Sequence, residues 1–218
     1  IVSVVNNVTA RKAAITLGEQ EVLLAGETFI RDRIGPYEFD ISANSFFQTN
    51  TAGAERLYAT VQSFAGLTGT ERVVDLYSGT GTIAICLSPE ASEVIGIEIV
   101  EGAVADAVEN CRRNGITNCR FIQGDIAEKI QRITVPPDVV VIDPPRAGMH
   151  KHVLRQVIDM APDRIVYVSC NPATLARDLS LMKELYRVVD VQPVDMFPHT
   201  YHIEVVVRLE KKTTVTTL

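Results

Sequence analysis

Between residues 72 and 169 the chain repeats one local pattern, a short and nearly uninterrupted apolar run followed by a stretch with helical periodicity. The runs are Arg72 to Leu76, Val94 to Ile97, Arg120 to Ile122 and Val139 to Ile142, with Arg164 to Ser169 as a fifth. A strand with one face in water alternates apolar and polar residues, whereas a near-continuous apolar run suits a strand covered on both faces. Strands alternating with helices make the fold class α/β, with a mostly parallel sheet and helices on both faces. Arg187 to Val194 and Ile203 to Leu209 bring the sheet to seven strands, the last antiparallel after a short return. Ahead of the repeat, a helix starting at Asn50 or Thr51 and ending near Gly66 carries Ala54, Leu57, Tyr58, Val61 and Phe64 on one face.

Residues 1–43 read differently. Val2 to Val5, Val22 to Leu24, Thr28 to Arg31 and Tyr37 to Ile41 are short strands, punctuated by Gly18, Gly26 and Gly35-Pro36. They are too few to close a core alone, so 1–43 is expected to be the C-terminal remnant of a central β-rich domain and 44–218 a separate α/β domain. The isoleucine at position 1 points to a fragment.

The 21 basic and 27 acidic residues give a net charge of −6, so the chain does not look like a strong electrostatic binder of nucleic acid by itself. No apolar run approaches the length of a membrane span and no charged-then-apolar leader opens the sequence, which leads to the expectation of a soluble, cytoplasmic protein. The four cysteines, at 86, 111, 119 and 170, form no C-x-x-C pair and no spacing suited to zinc or an iron–sulfur cluster, so no metal is expected. Cys111 continues a helical stripe of Val104, Ala107 and Val108, and Cys86 follows Ile83-Ala84-Ile85; both read as core.

The strand ends carry the polar signal. Asp75-Leu76-Tyr77-Ser78-Gly79-Thr80-Gly81-Thr82 leaves the first repeated strand through two glycines that let a ligand approach the backbone. Glu98 closes the second strand 17 residues after Gly81, where a carboxylate can accept from both hydroxyls of a ribose. Gly124-Asp125 closes the third and Asp143-Pro144-Pro145-Arg146 the fourth. Open α/β sheets bind ligands along that rim. Gly79 to Ala84 also fits the G-x-G-x-x-A of a nicotinamide site, but Asp75, Asp125 and the Asp143-Pro144-Pro145 segment together resemble class I methyltransferases, with their Rossmann-like sheet. The resemblance implies S-adenosylmethionine as cofactor, Glu98 on its ribose, Asp125 on the adenine side and the Asp75 to Thr82 loop at the methionine end.

Cys170 lies between the fifth strand and a helix expected from Ala173 to Leu185, with Leu175, Leu179, Met182 and Leu185 near one face, Asn171 as N-cap and Pro172 as first helical residue. Free amide donors and the positive helix end favour a thiolate there. Glu204, at the start of the last apolar strand, is either a solvated strand end or a base held near a site. Base amino-group methyltransferases share the Asp-Pro-Pro segment, but an aromatic usually follows it and here Arg146 does. Taken together, Phe46-Phe47-Gln48-Thr49-Asn50, Asp143 to Gly148, Ser169-Cys170-Asn171-Pro172 and the Phe197-Pro198 to His202-Ile203-Glu204 segment resemble the RNA uridine-5-methyltransferase family, from about residue 20 to the end. The resemblance implies Cys170 as nucleophile and Glu204 as general base, with Gln48, Tyr77, Gly79, Thr82, Glu98, Asp125 and Asp143 around the cofactor and uracil. It makes RNA the partner, 23S ribosomal RNA ahead of transfer RNA, and residues 44–218 the methyltransferase domain. An N-terminal RNA-binding barrel and a complete central domain, present in the family and in some members joined by an iron–sulfur cluster, are not complete here. One of Phe46 and Phe47 is expected to pack on a flipped base and the other in the core. Arg146, Lys151 and Arg177 touch phosphates or are solvated charges; His199 and His202 read as structural. A base amino-group methyltransferase and a non-methylating nucleotide-binding domain stay open as alternatives.

Overall fold

The computed structural model describes residues 1–9 and 20–213. Gly18 lies outside the described residues. Four strands open the chain: β1 (Ser3–Val8), β2 (Gln20–Gly26), β3 (Phe29–Ile34) and β4 (Tyr37–Ser42), paired as two antiparallel hairpins, β1–β2 and β3–β4. Helix α1 (Thr51–Ala65) follows, and then β5 (Arg72–Leu76), α2 (Thr82–Leu87), β6 (Glu93–Glu98), α3 (Glu101–Arg113), β7 (Cys119–Gln123), α4 (Ile126–Lys129), β8 (Val139–Ile142), α5 (Lys151–Met160), β9 (Arg164–Ser169), α6 (Pro172–Met182), β10 (Tyr186–Val194) and β11 (Glu204–Lys211).

The last seven strands form one sheet in the order β10-β11-β9-β8-β5-β6-β7. Strands β5 to β9 run parallel, and β11 enters antiparallel between β9 and β10. The expected bounds of β5, β8 and β9 match the structure, and every residue of β8 is buried. One face of the sheet packs on α1 and α2, with Leu57, Val61, Ile83 and Ile85 in the layer; the other packs on α5 and α6 through Leu154, Val157, Leu175 and Met182. Ile34, Phe39 and Ile41 of the β3–β4 hairpin join the α1 side of that core.

Two sequence expectations need correction. Helix α6 stops at Met182, so Leu185 falls past its end and is 46 % exposed instead of lying on the buried face. In α3 the buried line is Ala103, Ala107, Asn110 and Cys111, and Val108 is 56 % exposed; at 100° per residue Val108 lies off the stripe that faces the sheet.

Candidate active site

The strand order fixes where chemistry can sit. From β5 the chain winds outward through β6 and β7, then returns to β8 on the other side, so the crevice outside the carboxyl ends of β5 and β8 is a topological switch point. Tyr77, Glu98, Asp143 and Cys170 each stand at or just past the carboxyl end of β5, β6, β8 and β9. Because β11 is antiparallel, its first residues, not its last, lie on this rim. Val205 pairs with Ser169, so Glu204 sits beside Cys170 although 34 residues separate them.

At the β5–β6 side the rim is a cleft of about 320 Å³ lined by Ser45, Phe46, Gly79, Glu98, Val100 and Ala103, among others. Glu98 is 9 % exposed and its carboxylate is held from two directions, accepting from the Gly79 N–H at 3.0 Å and the Val100 N–H at 2.8 Å. Gly79 adopts φ 52°, and a side chain there would project into open space. At Gly81, φ is 79° and an added Cβ would come within 2.9 Å of the Phe121 ring. Tyr77 takes φ 65°, a conformation that a non-glycine residue adopts only under constraint, with its N–H and that of Ser78 both donating to the Ile97 carbonyl.

Beneath this loop lie groups without partners. Both carboxylate oxygens of the fully buried Asp75 lack a hydrogen-bond partner, as do Ser78 Oγ and Thr80 Oγ1. Burial, and then the nearby Asp143, push the Asp75 carboxyl well above the ordinary range. Unpaired polar atoms are costly in a folded interior, and their concentration at the end of β5 and in the loop after it makes this a candidate polar ligand site.

Asp143, Cys170 and Glu204 gather on the β8–β9–β11 side. Burial raises Asp143 to about 6. Glu204 is pushed up to about 7, by burial first and by Asp143 second, with Arg146 opposing. Cys170 is raised as well: burial leads, Glu204 and Asp143 add to it, and Arg146 pulls the other way. The helix end expected from sequence to favour a thiolate is present, and burial and the two carboxyls act against it. Asn171 caps α6 as expected, accepting from the Ala173 N–H at 3.1 Å.

The loop after β8 is clamped onto α6. The Arg146 carbonyl accepts from Asn171 Nδ2 at 3.1 Å and Thr174 Oγ1 at 3.2 Å, and Arg177 Nη2 donates to the Ala147 carbonyl at 3.0 Å. Asp178, 1 % exposed, accepts from Tyr167 OH at 2.7 Å, the Met149 N–H at 2.9 Å and Arg177 Nε at 2.9 Å. Arg177, read from sequence as a phosphate contact or a solvated charge, binds protein backbone and Asp178 in the fold. On the other wall, Asn50 Nδ2 donates to the Met196 carbonyl at 2.6 Å, joining the 46–50 segment to the loop before β11.

The remaining expected residues fall at different depths. Gln48 is buried at 8 % exposure. Phe47 packs on Phe39 with ring centroids 5.6 Å apart, and Phe46 is 73 % exposed at the cleft. Thr82 Oγ1 lies 3.3 Å from Tyr58 OH, toward α1. Asp125 is exposed and caps α4, accepting from the Ala127 N–H at 2.7 Å. Sequence reasoning missed Asn110 and Asp178, the buried polar residues that hold the loops. Among the described residues no group of three or more His, Cys, Asp or Glu side chains is arranged to hold a metal ion, and no helix is long and apolar enough to cross a membrane.

A model of the family described as tRNA (Uracil-5-)-methyltransferase matches residues 2–134 and 128–212. An uncharacterised RNA methyltransferase of Clostridium acetobutylicum is 46 % identical over 215 residues, covering 97 % of this chain and 47 % of the relative. The crystal structure of the Pyrococcus abyssi tRNA (uracil-54, C5)-methyltransferase, in complex with S-adenosyl-L-homocysteine, superimposes with a TM-score of 0.79 at 36 % identity, over 95 % of this chain and 50 % of that one. An N-methyltransferase of Bradyrhizobium japonicum shares the fold alone, with a TM-score of 0.60 at 15 % identity over 73 % of this chain and 88 % of that one. The chain spans about half the length of the curated relatives it matches. With its sheet, its rim residues and a match along nearly all of its described length, the chain belongs to the tRNA (uracil-5-)-methyltransferase family.

Proposed function

We propose that this chain is the part of a longer enzyme that transfers a methyl group from S-adenosylmethionine to carbon 5 of a uridine in RNA, through a covalent bond between Cys170 and carbon 6. The cofactor assignment is supported by the Glu98 carboxylate at the rim of the cleft, the open side of Gly79 and the unpaired Asp75, Ser78 and Thr80, a set that suits a ligand with ribose hydroxyls, an ammonium group and a carboxylate. When bound, S-adenosylmethionine supplies an electrophilic methyl group on a sulfonium. Gly79 and Glu98 would hold its sugar, with Tyr77, Gln48, Thr82 and Asp125 as further contacts around it.

Carbon 5 of uracil is a weak nucleophile. Cys170 first gives up its proton to solvent; addition of the thiolate sulfur to carbon 6 then places the electron pair of the 5,6 double bond on carbon 5 and the carbonyl oxygen, as an enolate that can accept a methyl group. Burial raises Asp143 to about 6, so it keeps its proton to higher pH than an ordinary carboxyl, and in its protonated form it is suited to donate a hydrogen bond to the uracil edge as that charge develops. The methylated adduct carries a methyl and a hydrogen on carbon 5. Glu204 takes that hydrogen as a proton, the double bond re-forms and the Cys170–carbon 6 bond breaks with the electron pair returning to sulfur. A base that titrates at about 7 accepts the proton and can release it again at neutral pH.

The observation that carries this reading is the register of β11 on β9, Val205 opposite Ser169, which sets the Glu204 carboxylate beside Cys170. Glu204→Gln should stop the cycle after methyl transfer. Incubated in the full-length protein with S-adenosylmethionine and unmodified RNA transcripts, it should accumulate a covalent RNA adduct whose mass includes the added methyl, with product release slowed by roughly 10²-fold or more. Cys170→Ala/Glu204→Gln cannot form that bond. Release of 5-methyluridine by Glu204→Gln at the wild-type rate would remove Glu204 from the reaction. The same assay decides the target: the sequence reading puts 23S ribosomal RNA ahead of transfer RNA, so both transcripts belong in it.

A further inference from the structure

The segment joining β10 to β11, residues 195–203, holds one ring out into solvent beside the reactive cluster. Its base is fixed by Met196, 1 % exposed, whose carbonyl accepts from Asn50. Residues 197–200 then close a tight turn in which Thr200 donates both its N–H, at 3.1 Å, and its Oγ1, at 2.8 Å, to the Phe197 carbonyl. His199 takes φ 76°, and the His202 N–H donates to Thr200 Oγ1 at 3.2 Å. The turn presents Tyr201, 86 % exposed, with its ring centroid 4.3 Å from that of His202 and the planes tilted by 40°. His202 Nδ1 in turn lies 3.3 Å from Arg146 Nη2, and because arginine only donates, this ring nitrogen is the acceptor. Arg146 is the cation whose charge reaches both Cys170 and Glu204. A continuous file of planar groups therefore runs from the reactive cluster to a fully presented phenol.

That geometry matches a particular need of the substrate. A uridine placed over Cys170 has to leave its stack, and the base next to it loses a stacking partner. Single-stranded bases recover that loss on aromatic side chains, which accept any base because each has a π-face. We propose that Tyr201, backed by His202, is the stacking subsite for the nucleobase adjacent to the target uridine in a single-stranded stretch of the RNA. The inference rests on the uridine methylation proposed above and adds to it a residue that governs which RNA strand is held. His202 gains a role as the support that fixes the Tyr201 ring and the Arg146 fork together, beyond the structural one expected from sequence.

The test compares wild type, Tyr201→Ala, Tyr201→Phe and His202→Ala as full-length proteins, with unmodified ribosomal and transfer RNA transcripts and saturating S-adenosylmethionine. Tyr201→Ala should raise KM for RNA roughly 10- to 100-fold, the range that loss of one stacked base gives, while KM for S-adenosylmethionine stays at the wild-type value. Tyr201→Phe should restore most of the affinity, since the ring and not the hydroxyl stacks. His202→Ala should give a smaller rise in the same direction. Equal RNA KM values for wild type and Tyr201→Ala overturn the subsite and leave uridine methylation standing; so does a loss confined to kcat, or a Tyr201→Phe as weak as Tyr201→Ala. Absence of 5-methyluridine with wild type on every transcript overturns the proposed function instead, so the two failures are told apart.

Discussion

At the scale of single residues, the site is governed by the removal of charge from water. Cys170 stands at a helix N-terminus, which favours a thiolate, yet burial and the carboxyls of Glu204 and Asp143 raise its pKa. Alkylation by iodoacetamide followed peptide by peptide should accordingly give Cys170 a titration midpoint above that of an ordinary thiol, and Glu204→Gln should lower it by removing a named negative charge. A midpoint unmoved by Glu204→Gln would mean that the two groups do not sense each other. Glu98 is held in place by backbone, its carboxylate accepting from the Gly79 and Val100 N–H groups. Glu98→Ala loses charge-assisted hydrogen bonds to a ribose and frees Gly79, so S-adenosylmethionine binding should weaken by about 1 to 3 kcal/mol in titration calorimetry. Affinity equal to wild type in a folded Glu98→Ala chain would remove the ribose assignment.

Among the elements, α3 and α6 show how loops with little regular structure are held in place. The Asn110 side chain, fully buried, accepts from the Asp40 N–H at 2.7 Å and donates to the Asp40 and Thr80 carbonyls at 3.2 Å each, so one amide ties β4, α3 and the glycine loop together. Asp106 adds the Ser42 N–H and the hydroxyls of Ser42 and Ser45, and Arg113 pairs with Asp40. Asn110→Ala leaves several of these groups buried and unpaired, which predicts a loss of about 2 to 3 kcal/mol in urea denaturation and weaker cofactor binding through the displaced loop. The strands and their rim were legible because apolar runs and the residues that end them are local signals. Asn110 and Asp178 were less so. Each is a polar residue inside a buried helical stripe, between Ala107 and Cys111 in one case and Leu175 and Met182 in the other, and only partners distant in sequence, Asp40 and Thr80 for one and Tyr167 and Met149 for the other, reveal what it satisfies. The raised pKa of Cys170 was illegible for the same reason: the insertion of β11 between β9 and β10 brings Glu204 to it from a distant part of the chain.

For the molecule as a whole, these buried carboxyls link the proposed reaction to stability. Asp143 and Glu204 titrate at about 6 and about 7 in the folded chain, above their ordinary values, and Asp75 is also raised. The folded state therefore binds these protons more tightly than the unfolded chain does. The stability they contribute is complete below the unfolded values, near 4, and is lost as pH rises through 6 and 7. Glu71, Glu109 and Glu210 are shifted down by hydrogen bonds, so their contributions are present above the ordinary carboxylate range and fade in acid. The two sets act in opposite directions, the raised groups adding stability in acid and the lowered ones above the ordinary carboxylate range. Glu204→Gln keeps the shape of the side chain and abolishes its charge, so it should be more stable than wild type at pH 8 by about 2 kcal/mol, a figure reduced from the full shift because the group is partly solvated, and should match wild type near pH 4. Urea unfolding of the two chains across that range measures it directly. A constant difference at every pH would show that Glu204 is not held against its charge, and the carboxylate beside Cys170 would then lack the proton affinity that the last step of the proposed reaction demands of it.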